Sequence, residues 1–534
     1  MILKITLTAI LLVGLGGGGA WAKPRLPMTY MESQPQCRAR PPVDVDVRRS
    51  LFVTERQVVE RTVSLEDVLD TLAWDSGIPD LAAIDLWDQW WDTQNASPGL
   101  GQGLNCDDML DANGNPSING FPVQCARNEG GEIGVDPFDP GLPSFYSPIA
   151  VVNRFDLAAP DGAHCGEYRI IFARDSGVAD PFNRNLVIFE AQLPNPSPGC
   201  GIDGCQMIAK FWRQLSSIDD PVRRARMLRR FYLDGFPERN IPAVIRVDRF
   251  APGSGQIRTN QFMSGPNDQK WQLREFKLAL FCSESDGPCA LQFVPVSVKN
   301  NPFGELFDEN FSDPRTIPFQ RAFVNQVENL AANDLNEFFN MIAEPFNAGE
   351  SSSQGVDNNY EFHFDSGSRF GRVLRQRLRQ LDSPLQPDHL IRRSQAMSCA
   401  GCHQLNNAPP ASDLGGGLHW PASLGFVHVS EAQTELVDGV EHFAISPALS
   451  TVFLPHREEI FEDYVSGLPC EPCRLVSLQS ESWSDTGPVP IEVPLDEFGI
   501  NPLRLSSDEI RALDLERKQV LPSKTLGGSA RGSH

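Results

Sequence analysis

The pattern of apolar and polar positions divides the chain into three long regions. In the first, residues 23–145, apolar positions recur with helical spacing between residues 65 and 91, inside otherwise irregular sequence. This segment carries four tryptophans, which favour the packed edge of a core over an exposed platform for stacking ligands. They are Trp74, Trp87, Trp90 and Trp91.

The second region, residues 146–300, has the short apolar runs that are typical of β-strands. We predict a single α+β domain here, with most of its residues in strands. The clearest predicted strands cover residues 168–173, 186–193, 273–281 and 291–298.

Two local signals in this region are sharp. Cys282 and Cys289 stand at the two ends of a short turn between predicted strands, which indicates a hairpin closed by a disulfide. Between other strands, Asp220 and Pro221 form a helix start and Gly235 a helix stop, so a helix is predicted between them.

In the third region, residues 301–505, the spacing becomes helical. A long helix is predicted over 319–342, followed by helices over 369–381 and 388–403. The apolar face of the long helix would carry Phe319, Phe323, Val327, Leu330, Phe338 and Ile342. Residues 506–534 are predicted to form a C-terminal tail. The fold class predicted from the sequence is therefore α+β, with a β-rich middle domain and helical regions on either side.

The first 22 residues have the form of a secretory signal peptide. Lys4 precedes an apolar run at 5–15, and Ala20-Trp21-Ala22 matches a cleavage site. The run is too short to span a bilayer, and no later stretch approaches the roughly 18 apolar residues that a membrane anchor needs. We expect a periplasmic or secreted protein without a membrane anchor.

Charge and cysteine content narrow the class further. With 46 basic and 69 acidic residues the net charge is -23, which opposes binding to nucleic acid. Twelve cysteines in an exported chain predict disulfides. Cys470 and Cys473 favour a short structural disulfide over a thioredoxin-like redox pair. The predicted pairs are Cys282–Cys289, Cys200–Cys205, Cys470–Cys473, Cys106–Cys125 and Cys37–Cys165.

The strongest chemical signal is the run SCAGCHQ, which contains Cys399, Cys402 and His403. Two cysteines separated by two residues, with histidine directly after them, resemble the attachment motif of the c-type cytochromes. The resemblance implies one covalent haem c, with thioethers from both cysteines and His403 as the proximal iron ligand. It also makes residues 301–505 a mainly helical c-type haem domain. A zinc site is less favoured, because the next CxxC pair lies more than 60 residues away.

In the small electron-carrier cytochromes, the second axial ligand of the haem iron is usually a downstream methionine. No methionine follows His403 in this chain. His428 is the first candidate, because it lies in an apolar strand-like run at 424–429. His456 is the alternative, with Arg457 beside it as in a peroxidase-like pair. His419, a residue upstream of the motif, and an iron without a second protein ligand also stay open.

Arginines near the motif supply candidate contacts for the haem propionates. Arg392 and Arg393 precede the motif by one to two helical turns and are the candidates. The arginines of 369–381 are better explained as the solvated face of an amphipathic helix.

The sequence therefore predicts an exported monohaem redox protein that transfers electrons or acts as a haem-dependent oxidoreductase of the peroxidase or oxygenase kind. Its partner would be a redox protein or a small-molecule substrate. The alternative is a secreted ligand-binding or sensor protein in which the haem is structural. No catalytic residue is assigned.

Overall fold

A computed structural model describes residues 44–101, 103–262, 270–282 and 289–467 of the 534-residue chain. The predicted signal peptide, the C-terminal tail and the cysteines Cys37, Cys470 and Cys473 lie outside the described residues.

Both helices and antiparallel strands are present, so the mixed α+β class is confirmed. The strands are β1 (Phe52–Val53), β2 (Ser117–Ile118), β3 (Phe121–Pro122), β4 (Tyr146–Arg154), β5 (His164–Arg174), β6 (Asn185–Pro194), β7 (Gln256–Gln261), β8 (Gln272–Cys282), β9 (Cys289–Val296), β10 (Ser351–Ser352), β11 (Val429–Val437) and β12 (Val440–Ile445).

The helices lie mainly before and after the long strands. They are α1 (Val47–Ser50), α2 (Arg56–Val59), α3 (Leu65–Asp75), α4 (Ala83–Asp92), α5 (Ser176–Ala179), α6 (Gln206–Leu215), α7 (Pro221–Leu233), α8 (Thr316–Val324), α9 (Val327–Leu330), α10 (Tyr360–His363), α11 (Arg369–Gln380), α12 (Pro387–Ala396) and α13 (Leu454–Gly467).

A central antiparallel sheet organises the described part of the chain. Its strand order is β1-β4-β5-β6-β7-β8-β10, and β9 also pairs with β8. Because side chains alternate between the two faces of a strand, Tyr168 on β5 faces the helices and contacts Trp212 of α6. The neighbouring residue Arg169 faces the opposite side, toward the C-terminal region. The sheet thus separates a helical layer from the region that contains the candidate motif.

The predicted strands are confirmed, since each of the four runs lies within or overlaps β5, β6, β8 or β9. The hairpin is confirmed too: Cys282 pairs with Cys289 in the register of β8 and β9, and the two are joined by a disulfide. Helix α7 begins and ends as predicted. The side chain of Asp220 accepts a hydrogen bond from the Val222 amide, and Gly235 takes a left-handed φ of 71° after the last turn.

The tryptophan-rich segment is two helices, α3 and α4, because the sequence between them contains Gly77 and Pro79. Trp87, Trp90 and Trp91 are fully buried, as expected for a core edge, whereas Trp74 is 75% exposed. The Trp90 ring stacks on Phe293 of β9 with 4.4 Å between the ring centroids.

The single long helix predicted over 319–342 is wrong. Helix α8 ends at Val324, and only the short helix α9 follows it before the chain becomes irregular. Gln326 stabilises the break, because its side-chain amide exchanges two hydrogen bonds with the backbone of Met341, at 2.7 and 2.5 Å. The apolar residues of the predicted face are nevertheless buried.

One hydrophobic core includes residues from all three predicted regions, among them Trp90, Phe276 and Leu390. The domain boundaries at 145/146 and 300/301 stay a prediction. No helix in the described ranges is long and apolar enough to cross a membrane.

Three disulfides are formed between described residues. Cys106–Cys125 and Cys282–Cys289 were predicted, but the third joins Cys165 to Cys205. The predicted pairs Cys200–Cys205 and Cys37–Cys165 are therefore wrong. Strand β5 brings Cys165 beside the start of α6, with 5.4 Å between the two Cα atoms. Disulfides of this number are typical of a protein outside the cytoplasm.

Candidate functional site

The CxxCH motif lies directly after α12. The helix ends at Ala396, and Gly401–Leu405 forms a π-helical turn that contains Cys402 and His403. Gly401 is required for this turn, because a Cβ atom there would overlap the carbonyl of Gln395. The predicted helix over 388–403 is thus a shorter helix followed by a tight turn.

Both motif thiols are buried, and neither forms a disulfide. Cys399 packs against Leu273 of β8 and Val298. Burial raises the pKa of its thiol to about 12, so this group is neutral. The sulfur of Cys402 lies 3.2 Å from Nε2 of His428.

His403 is held by a backbone hydrogen bond. Its Nδ1 lies 2.6 Å from the carbonyl oxygen of Phe426, and since a carbonyl only accepts, Nδ1 carries the proton. Nε2 is then the nitrogen with a lone pair, and it lies 3.4 Å from the amide nitrogen of Asn260. Burial lowers the pKa of His403 to about 4, against a smaller opposite effect of the Phe426 hydrogen bond. The imidazole is therefore neutral and can offer the lone pair of Nε2 to a metal, as ligation requires.

His428 lies beside His403, with 4.7 Å between the two ring centroids. Its Nδ1 lies 2.8 Å from the hydroxyl of Ser446, so both imidazoles are oriented through Nδ1. Burial, together with electrostatic interactions with His403 and Arg457, lowers the pKa of His428 well below its usual value. His428 precedes β11 and lies outside any strand, which differs from the predicted strand at 424–429.

A cavity opens between these histidines and the central sheet. The cavity walls are mostly apolar. Asn260 is one of the polar residues in them, and its Oδ1 is buried without a hydrogen-bond partner in the described part of the chain. The apolar lining residues are Phe52, Val152, Ile171, Leu186, Ile188, Leu273, Val427, Val429 and Leu449.

A row of alternating charges crosses four strands at one side of the cavity. Arg169 on β5 pairs with Glu190 on β6 at 3.0 Å, and Glu190 pairs with Arg258 on β7 at 2.8 Å. Arg258 in turn pairs with Glu275 on β8 at 3.1 Å. All four side chains are 5% exposed or less, so we call them the buried charge row. Buried charges are tolerated only when paired in this way.

The two arginines predicted to contact propionates have protein partners instead. Arg392 donates to a Glu361 carboxylate oxygen at 2.9 Å. Arg393 donates to the backbone carbonyls of Leu414, Leu330, Ala332 and Gly415. Neither arginine lines the cavity.

His456 and His419 do not line the cavity either. His456 lies on α13, and its Nε2 is buried without a hydrogen-bond partner among the described residues. Its neighbour Arg457 lies 3.9 Å from Asp156 and is close enough to His428 to lower the pKa of that imidazole.

Sequence reasoning missed the polar residues that the strands contribute, namely Asn260, Arg169, Glu190 and Arg258. The only signal was that Arg169 and Glu190 are charged residues in predicted strands that otherwise read as apolar, whereas β7, which carries Arg258 and Asn260, was not among the predicted strands.

The described residues contain no group of three or more histidine, cysteine, aspartate or glutamate side chains placed to hold a bare metal ion. A haem iron, in contrast, needs only one or two protein ligands. Comparison of the chain with protein-family models, with curated proteins and with solved structures finds no match. The site therefore has to be interpreted from its own residues.

Proposed function

We propose that this chain is an exported c-type haem protein. The haem is joined to Cys399 and Cys402 through thioethers, and His403 is its proximal ligand. The observation that carries the proposal is the state of the motif: two buried thiols without a disulfide, followed by an imidazole whose Nδ1 is fixed by a carbonyl. Histidines that bind a metal usually donate a hydrogen bond from the N–H of their other ring nitrogen, which sets the tautomer and the ring orientation.

The surroundings of the motif support the same proposal. The walls next to His403 are mostly apolar, and Cys399 packs against Leu273, which also lines the cavity. Arg169 and Arg258 are the guanidinium groups in the cavity wall, but each is already paired with two carboxylates, so we assign no propionate contact. Export agrees with the three disulfides and with the signal-like residues 1–22.

Electron transfer is the function that these residues favour. A bound haem supplies a one-electron redox couple, whose potential depends on its ligands and its burial. We infer that His428 would be the second protein ligand of the haem iron, since it lies beside His403 and is oriented by Ser446 through Nδ1. A second imidazole closes the iron to peroxide and oxygen. The partner is then a redox protein rather than a small substrate.

Covalent attachment is tested by expressing the chain with the periplasmic haem-attachment machinery. The purified protein should be red and should keep its haem through denaturing electrophoresis. The double variant Cys399→Ala/Cys402→Ala should lose this retained haem. The matched control Cys282→Ala/Cys289→Ala, which also removes two cysteines, should keep it. A colourless wild type with a Cys399–Cys402 disulfide would show that the proposal is wrong.

The role of His428 is tested by absorption spectra. The ferric wild type should be low-spin, and His428→Ala should convert it to high-spin, whereas His456→Ala should leave it unchanged. A high-spin wild type that binds cyanide rapidly would exclude His428 as a ligand. That result would favour a haem-dependent oxidoreductase.

One observation favours a second candidate function, a reaction in which the Cys402 thiol acts as the nucleophile. Cys402, His428 and Ser446 form a continuous chain of contacts at 3.2 and 2.8 Å, the order of nucleophile, base and orienting group. Under this alternative the purified protein would be free of haem, and iodoacetamide would label Cys402 faster in the wild type than in His428→Ala.

A further inference from the structure

A strained turn at Gly425 and Phe426 directly precedes the cavity-lining residues Val427 and His428. Both turn residues have left-handed backbone angles, with φ of 60° at Gly425 and 73° at Phe426. Glycine adopts this conformation without a steric cost, whereas a bulky residue such as phenylalanine is strained in it. Strain of this kind persists only where the surrounding structure imposes the conformation. Contacts around Phe426 must therefore hold the turn.

Arg184, which directly precedes β6, contacts the first residue of the turn. Its Nη1 donates to the carbonyl oxygen of Gly425 at 2.9 Å. The same guanidinium pairs with the Glu431 carboxylate, to which its Nη2 donates at 3.0 Å. It also lies over the ring of Trp271, 5.1 Å from the ring centroid. The side chains of Arg184 and Glu431 are 14% and 3% exposed, so this ion pair is largely buried and the guanidinium is fixed on three sides.

The ring of Phe426 packs on the same group of side chains. Its centroid lies 5.1 Å from that of Phe262, in an edge-to-face arrangement, and 6.0 Å from that of Trp271. Both of these neighbours are buried. Trp271 thus contacts the guanidinium of Arg184 as well as the ring of Phe426, so one group of side chains fixes both residues of the turn. We call Arg184, Glu431, Trp271, Phe262 and Phe426 the turn clamp.

The turn clamp reaches His403 through a single backbone atom. The carbonyl oxygen of Phe426 lies 2.6 Å from Nδ1 of His403. The carbonyl of Gly425, which Arg184 binds, belongs to the peptide group directly before Phe426. A rotation of that peptide group would change the backbone angles of Phe426 and move its carbonyl away from the imidazole. Arg184 therefore restrains the atom that orients His403.

We propose that Arg184 is a positioning residue for His403. Through the Gly425 carbonyl and the aromatic rings, it keeps Phe426 in the left-handed conformation that places the Phe426 carbonyl against Nδ1. His403 then keeps the proton on Nδ1 and the lone pair on Nε2. As a statement about a haem ligand, this inference rests on the function proposed above, because a hydrogen bond from the other ring nitrogen makes a histidine a more basic ligand.

The proton position is measured by nitrogen NMR of histidine-labelled protein in the haem-free background Cys399→Ala/Cys402→Ala. The signals of His403 are assigned with His403→Ala. In this background the imidazole should be in the Nδ1–H tautomer. The double variant Arg184→Met/Glu431→Gln removes the guanidinium without leaving a buried charge unpaired. It should shift the tautomer ratio of His403 toward Nε2–H by about tenfold, which is the scale of one hydrogen bond.

The matched control is Arg174→Met/Glu132→Gln. This pair has nearly the same exposure, 13% and 3%, and neither residue lines the cavity, so the tautomer ratio should stay unchanged. An unchanged ratio in a folded Arg184→Met/Glu431→Gln, or an equal shift in the control, would overturn the proposal. If that double variant does not fold, Phe426→Gly decides, because it leaves no charge unpaired. Loss of the ring contacts should shift the ratio in the same direction, and an unchanged ratio would again overturn the proposal.

The haem-loaded protein gives a second measurement, the reduction potential. Loss of the hydrogen bond at Nδ1 makes His403 a weaker donor to ferric iron, so Arg184→Met/Glu431→Gln should raise the potential. A tenfold change in the equilibrium constant of a one-electron couple corresponds to about 59 mV. The double variant removes one charge of each sign, so the rise is not an effect of net charge. An unchanged or lower potential would overturn the proposal. A wild type that binds no haem would refute only the proposed function, because the tautomer measurement does not use haem.

Discussion

Glu190 links two buried arginines, and the loss of its charge should destabilise the fold strongly. Its carboxylate is 1% exposed and pairs with Arg169 at 3.0 Å and with Arg258 at 2.8 Å. It also accepts a hydrogen bond from Gln256 at 2.5 Å. The substitution Glu190→Gln keeps the size and one acceptor oxygen but removes the charge.

The expected loss in the free energy of unfolding depends on the carboxylates that the two arginines keep. Removal of one partner from a buried ion pair costs about 3–5 kcal/mol. Arg169 and Arg258 each keep a second carboxylate in Glu190→Gln, Glu167 at 2.7 Å and Glu275 at 3.1 Å. We therefore expect the lower end, a loss of about 3 kcal/mol in the free energy of unfolding.

The assay is urea unfolding at pH 7, with wild type and variant in the same haem state. The control is Asp219→Asn, which removes a surface pair with Arg49 in which Asp219 is 96% exposed. A surface pair of this kind contributes at most about 1 kcal/mol. The reasoning would be refuted if Glu190→Gln cost no more than Asp219→Asn.

Three further predictions concern stability. Removing the Cys165–Cys205 disulfide, with a sequence separation of 40, should cost about 4 kcal/mol in urea unfolding, whereas the Cys282–Cys289 disulfide, with a separation of 7, should contribute about 2.5 kcal/mol; equal losses would contradict the loop-length argument. Trp90→Ala should cost about 3–5 kcal/mol, and the exposed Trp74→Ala within about 0.5 kcal/mol, by the same measurement. Burial alone would raise the pKa of Asp67, but hydrogen bonds from Arg229 and Ser64 lower it to about 2. Asp67→Asn should therefore be less stable than wild type at pH 7, and the difference should shrink as the pH falls from about 4 toward 2; a constant difference would exclude this pair as its cause.

Local signals in the sequence predicted local structure. The start of α7 at Asp220, the hairpin at Cys282 and the strand runs depend on neighbours in the chain, and the structure has them. The prediction of one helix over 319–342 was wrong because apolar spacing alone cannot exclude the contacts of Gln326 with Met341. Likewise, Cys200 and Cys205 were paired for their closeness in sequence, whereas strand β5 brings Cys165 to Cys205.

The candidate site was predictable only in its motif. Cys399, Cys402 and His403 are adjacent in the sequence, and His428 was selected for its apolar neighbours. Ser446 and Asn260, which contact the two imidazoles, lie 18 and 143 residues from them. Nothing local marks such residues, because only the pairing of strands and the packing of the C-terminal region bring them to the site.

The buried charge row specifies the register of the central sheet. Arg169 pairs with Glu190 in the ladder of β5 and β6, while Ile188 faces Arg258 in the ladder of β6 and β7. A shift of β6 by one residue would turn Glu190 toward the apolar helical layer and leave both arginines without its carboxylate. The row therefore specifies the strand pairing, and Asn260, two residues after Arg258 on β7, is placed next to Nε2 of His403 by the same pairing. The charged residues that line the cavity thus also fix the position of the cavity walls relative to the CxxCH motif.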